Sequence, residues 1–164
     1  MQDVPSLEEF RLRAAKFINN AVKSKDACPA YGAILPPQFH ERAMHWQRFC
    51  FDSGWAGVHW PTKYGGMGLT PDHNVIWHEE CAIAEVAPYL NLQGLVLAGE
   101  AILRSGTQLQ KDRYLQPTLR NEILWCQLFS EPGAGSDLAG LQTSAVIDGD
   151  QFLLNGQKVW SSNA

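Results

Sequence analysis

Apolar residues recur at helical spacing from the N-terminus to about Arg120, and at strand spacing after it. Leu7, Phe10, Ala14, Phe17, Ile18, Ala21 and Val22 share one stripe. Ser6 with Glu9 three residues on has the spacing of a capping box, so a helix is predicted from there to Ser24. Asp26 to Leu35 reads as a loop. Pro36-Pro37 can open a second helix, with Phe39, Ala43, Trp46, Phe49 and Cys50 inward, that runs to about Ser53 and stops at Gly54. Trp55 to Gly68, rich in Gly, Trp and Pro, is a connection. Thr70-Pro71 starts a third helix through Glu85, with Val75, Ile76, Ala82, Ile83 and Val86 assigned to the core. Tyr89 to Arg104 carries almost no charge, the mark of a helix buried on all sides. Gly106 ends it, and Thr107 to Arg120 is a shorter helix, amphipathic through Leu109, Tyr114 and Leu115.

From Ile123 the period changes. Ile123 to Phe129 is an apolar run that reads as a buried strand. Thr143 to Ile147, Phe152 to Leu154 and Lys158 to Ser161 follow as short strands, separated by turn signals at Asp148-Gly149-Asp150 and Asn155-Gly156. Gly149 and Gly156 are assigned to turn geometry. The expected class is α+β: an all-α N-terminal helical bundle over residues 1–122, then the first strands of an antiparallel β-domain over residues 123–164.

Composition narrows the chemistry. With 164 residues, 45% apolar and 18% charged, the chain is of ordinary globular type. Its six Trp and seven Phe fill either a core or an interface. A formal charge of −4 and a pI near 5.7 argue against nucleic acid as a partner. No apolar run is long enough for a membrane span, and Met1 to Phe10 does not resemble a leader peptide. Cys28, Cys50, Cys81 and Cys126 are widely spaced; they read as free thiols, three of them buried, in a reducing compartment. The five His show no metal-ligand spacing, and no metal site is expected.

The chemistry concentrates in Ser130-Glu131-Pro132-Gly133-Ala134-Gly135-Ser136-Asp137. Small residues let the backbone approach a flat or charged ligand, glycine reaches positive φ, and successive N–H groups can hold an anion. Glu131, ahead of Pro in a tight loop, suits a structural role in which its carboxylate satisfies loop N–H groups. Followed by Asn155-Gly156-Gln157-Lys158-Val159-Trp160-Ser161-Ser162-Asn163, this stretch resembles the flavin-binding signature of the acyl-CoA dehydrogenases. Trp60-Pro61-Thr62-Lys63-Tyr64-Gly65-Gly66-Met67-Gly68 is similar to an element of the same family's helical domain.

The resemblance implies FAD as cofactor and α,β-desaturation of an acyl-CoA thioester, with the α proton taken by a carboxylate and the β hydrogen passing as hydride to flavin N5. It implies that the β-domain is part of an antiparallel barrel. Gln127, Phe129, Ser130, Gly135 and Ser136 would line the flavin's pyrimidine and pyrophosphate edges, with the Phe129 and Ser130 backbone and the Ser130 hydroxyl as ring donors. Trp160 would pack on the isoalloxazine, with Ser161 and Ser162 at its edge. Ser136 would also touch the pantetheine of CoA. Gly94 and Gly99 would either leave room for an acyl chain or serve helix packing alone. Many family members have an aromatic residue where Gln127 stands, and Thr where Ser130 and Ser162 stand; Ser keeps the hydroxyl. No catalytic residue is expected in this chain, because the family's base lies in a C-terminal helical domain beyond it. The chain alone is expected to hold FAD poorly and not to turn over. An electron-transfer flavoprotein is the implied acceptor, homo- or hetero-oligomers the implied assembly, and a cytoplasmic or mitochondrial-matrix setting the implied location. An oxidase branch, with oxygen as acceptor, and a non-catalytic subunit of a hetero-oligomer are the alternatives.

Overall fold

The computed structural model describes residues 4–32 and 34–161. It divides into two compact units, Met1–Leu124 and Trp125–Ala164.

The first unit is helical. Helix α1 (Leu7–Ser24) opens on the full capping box: the Ser6 hydroxyl accepts from Glu9 N at 3.2 Å, and the Glu9 carboxylate accepts from Ser6 N at 2.9 Å. A 3₁₀ turn, Pro37–Phe39, leads into α2 (His40–Asp52), and Gly54, at φ +75°, turns the chain out of it. Helix α3 (Pro71–Ile83) packs against α1. A π-helical stretch, Gly94–Ala98, runs into α4 (Gly99–Ser105), which packs on α5 (Gln108–Leu119). Thr107 and Gln110 form a second capping box at the start of α5.

The aromatic residues fill the core. Phe17 stacks on Trp46, Phe49 and Trp55, and Trp77 stacks on Trp46, Trp55 and Tyr89. Their polar ends are partnered, as burial demands: Trp46 Nε1 donates to Ala87 O at 3.2 Å and the Tyr89 hydroxyl to Trp55 O at 3.0 Å. Gln47, fully buried, donates to Thr118 O and Leu119 O at 3.0 and 3.2 Å and accepts from Asn91 N at 3.1 Å, tying α2 to the end of α5. Cys28, Cys50 and Cys81 are buried and Cys126 is exposed, all as free thiols.

Several expectations fail here. Val75 and Ile83 are 54% and 72% exposed, and Ala82 is exposed too. The buried stripe of α3 is His73, Ile76, Trp77, Glu80 and Cys81. Two polar residues enter it because both are satisfied: His73 meets the Thr70 hydroxyl at 2.7 Å and Pro5 O at 3.1 Å, and Glu80 accepts from Arg11 at 2.6 Å. Leu109 is 77% exposed; Leu115, Thr118 and Leu119 form the inner face of α5. The apolar segment after Pro88 is not covered all round, since Leu92, Val96 and Leu97 remain 39–54% exposed.

In the second unit, β1 (Ser144–Asp148) pairs antiparallel with β2 (Gln151–Asn155), with Ser144 opposite Asn155 and Asp148 opposite Gln151. Gly149, at φ +62°, makes the two-residue turn between them. All ten strand residues are exposed. The segments Ile123 to Phe129 and Lys158 to Ser161 are not strands among the described residues, because neither has a ladder partner. Nor does Asn155-Gly156 close a hairpin. A Cβ on Gly156 would lie 2.2 Å from Thr143 Oγ1 and 2.8 Å from Thr143 Cα, so close backbone approach, not turn geometry, requires glycine there.

Candidate functional site

The site is built in the second unit around residues 129–136 and 158–161. Pro132 and Gly133 occupy the middle of a turn closed at both ends, with Glu131 N donating to Ala134 O at 2.8 Å and Ala134 N to Glu131 O at 3.1 Å. Neither Gly133 nor Gly135 uses positive φ, contrary to the reason first given for them. Each contributes openness instead: nothing lies within 4 Å of where a Cβ would stand.

Glu131 takes the structural role expected of it. Its carboxylate accepts from Gln142 N at 2.7 Å, Thr143 N at 2.9 Å and Lys158 Nζ at 2.9 Å. Hydrogen bonding from the Thr143 side chain, then from the Gln142 N–H and from Lys158, holds its carboxyl down at about 2. A carboxylate so fully engaged is not poised to take a proton at neutral pH. Sequence reasoning assigned no part to Lys158, Gln142 or Thr143. Lys158 carried a signal, a lone cation inside the second motif, but its partner 27 residues earlier is legible only in the fold.

The two motifs meet. Val159 N donates to Ser130 O at 2.9 Å, and Lys158 Nζ donates to Phe129 O at 3.0 Å. The carbonyls of Phe129 and Ser130 are thereby occupied, whereas their N–H groups and the Ser130 hydroxyl have no acceptor or donor among the described residues. Phe129 is 61% exposed and Trp160 88% exposed, the latter at φ +55°. Gln127, Ser130 and Ser161 are half-buried, and Gly135 and Ser136 are exposed. Ser162 lies outside the described residues. Gly94 is elsewhere, buried in the π-helical stretch of the first unit, where its carbonyl accepts from Gly99 N.

These residues fit a flavin. An exposed indole offers a flat apolar face, while N–H groups and a hydroxyl without a partner among the described residues offer donors to a ring that gains charge on reduction. Open glycines leave space for a pyrophosphate. Among the described residues there is no group of His, Cys, Asp and Glu that would hold a metal ion, and no helix is long and apolar enough to cross a membrane.

Comparison with known proteins identifies the family. The family model for the acyl-CoA dehydrogenase N-terminal domain matches residues 5–122, and that for the middle domain matches residues 126–164. The chain is 40% identical to the acyl-CoA dehydrogenase IpdE1 of Mycobacterium tuberculosis over its whole length, spanning 42% of that protein. It is 47% identical to the acyl-CoA dehydrogenase FadE34 of the same organism over 84% of this chain and 18% of that protein. Among solved structures, the ChsE4–ChsE5 complex of Mycobacterium tuberculosis superposes with a TM-score of 0.75 at 29% identity, over 99% of this chain and 40% of that one. The Tcur3481–Tcur3483 steroid acyl-CoA dehydrogenase does so with a TM-score of 0.72 at 28% identity, over 96% and 40%. The chain thus spans less than half the length of these relatives, and two family domains in sequence order account for nearly all of it: it belongs to the acyl-CoA dehydrogenase family.

Proposed function

We propose that the protein binds FAD and dehydrogenates an acyl-CoA thioester between Cα and Cβ, with this chain supplying one side of the flavin slot. The observation that carries the reading is the Val159 N to Ser130 O bond, which sets an exposed indole at Trp160 and the donor edge at Phe129-Ser130 side by side. When bound, flavin supplies the hydride acceptor. Trp160 packs on the ring face, the Phe129 and Ser130 N–H groups and the Ser130 hydroxyl orient its polar edge, and Gly135 and Ser136 receive the pyrophosphate. Ser136 also contacts the CoA arm, Ser161 and Ser162 sit at the ring edge, and Gly94 borders the acyl group. Proton abstraction falls to a carboxylate outside these residues, since Glu131 is fully engaged in the loop.

The likeness to a steroid acyl-CoA dehydrogenase supports a bulky, polycyclic acyl group as substrate class. The likeness to a ChsE4–ChsE5 complex supports assembly into an oligomer with a second, related chain. An electron-transfer flavoprotein is the proposed electron acceptor.

The test is anaerobic mixing of the full-length protein with steroid-type and straight-chain acyl-CoA while the flavin absorbance is followed. Bleaching by the thioester, faster with the polycyclic one, is expected. A flavin band that no acyl-CoA bleaches contradicts the reaction. Fast reoxidation of the bleached protein by oxygen, rather than by the flavoprotein, transfers it to the oxidase branch.

A further inference from the structure

Among the described residues of the second unit, Glu131 and Lys158 form an enclosed charged pair, with side chains 8% and 20% exposed. The flavin reading gives neither any contact with the ring. Three bonds nevertheless run between their two segments: Lys158 Nζ to Glu131 Oε1 at 2.9 Å, Lys158 Nζ to Phe129 O at 3.0 Å and Val159 N to Ser130 O at 2.9 Å. Glu131 in turn is fixed by the Gln142 and Thr143 N–H groups.

Trp160 follows directly. Its φ of +55° is a conformation that a bulky side chain avoids, and its indole is 88% exposed. A strained backbone persists only where its surroundings over-determine it. Among the described residues the nearest anchors of the chain are the bonds made by Lys158 and Val159, immediately before the indole.

We propose that the Glu131–Lys158 pair is a positioning clip. It sets the spacing between the Phe129-Ser130 donor edge and the Trp160 indole, and so governs how tightly an isoalloxazine ring is held and at what reduction potential. Lys158 and Glu131 act through Phe129, Ser130 and Trp160, not on the ring. Removing the ammonium frees Phe129 O and leaves a carboxylate short of a partner, which loosens the segment that carries Trp160. The proposal rests on the flavin reading above.

The experiment uses the full-length protein, stripped of flavin and titrated with FAD, as wild type and as Lys158→Met, Lys158→Arg and Lys158→Gln. The neutral Gln variant, which keeps a donor, stands in if Lys158→Met does not fold. Expected are a tenfold or greater weakening of FAD in the Met or Gln variant, a changed visible circular dichroism of the bound flavin and a shifted reduction potential. Lys158→Arg is expected to restore affinity to within about threefold. The clip is overturned if the Met or Gln variant binds FAD within twofold of wild type with an unchanged spectrum and potential. It is overturned equally if Arg is as impaired as Met. Wild-type protein that takes up no FAD overturns the flavin reading itself, and the clip with it.

Discussion

Gly99 separates two reasons for a small residue in the helical unit. One is room for an acyl chain; the other is close packing. A Cβ on Gly99 would stand 2.3 Å from Cη2 and Cζ2 of Trp60 and 2.7 Å from Gly94 O. Carbon atoms pack best at about 3.5–4.0 Å, so the overlap exceeds an ångström. Trp60 is 1% exposed and cannot swing away. Its own loop holds it, with Gly66 pressed on its backbone, where a Cβ would lie 2.3 Å from Trp60 O, and Gly68 N bonded to Trp60 O at 2.8 Å. Against the clash, Ala gains about 1 kcal/mol of helix propensity over Gly. Overpacking a well-filled core costs about 1–3 kcal/mol or more. The upper part of that range wins, and Gly99→Ala is expected to lose about 1–2 kcal/mol. Thermal melting of the full-length protein, alongside KM for short and bulky acyl-CoA, provides the assay. A lower midpoint with an unchanged preference between substrates fits packing against Trp60. Equal or higher stability, with a shifted substrate preference, refutes that reasoning and returns Gly99 to the acyl pocket.

Gln47→Leu removes three buried hydrogen bonds at about 1 kcal/mol each, so about 3 kcal/mol is expected to disappear in urea denaturation followed by tryptophan fluorescence; a loss under 1 kcal/mol contradicts it. Gly156→Ala drives a methyl into Thr143 and disturbs the Thr143 N to Glu131 bond, for an expected cost of about 1–3 kcal/mol in a thermal melt. Glu131, held at about 2 against about 4.3 in an unfolded chain, stabilises the folded loop fully above roughly pH 5. Its contribution drains as pH falls from there toward 2, and Glu131→Gln is expected to flatten that part of an acid titration followed by flavin release.

Helix positions were legible because caps and breakers are local. Ser6 with Glu9 and Gly54 each act within a few residues of the helix they bound. Which face a helix buries was less legible. On α3 the apolar count favoured Val75 and Ile83, but the interior took His73 and Glu80, whose partners Pro5 and Arg11 lie on a distant stretch of chain. Gly156 and Gly99 look alike in sequence to any turn or pocket glycine. Only the fold shows Thr143 and Trp60 pressed against them. At the site, the two motifs gave the order and type of the residues, while the Glu131–Lys158 pair waited on the folding of segments 27 residues apart. Strand assignments at Ile123 to Phe129 and Lys158 to Ser161 failed for a related reason. A strand is defined by its neighbour, and apolar runs do not supply one.

The most direct measurement is a titration of flavin-free, full-length protein with FAD, followed by quenching of flavin fluorescence and repeated with Trp160→Ala. Saturation at one FAD per chain, with quenching reduced and affinity lowered in the Ala variant, is the result that the juxtaposed Ser130 and Trp160 segments predict. Absence of saturable binding, or binding and quenching untouched by the loss of the indole, contradicts it.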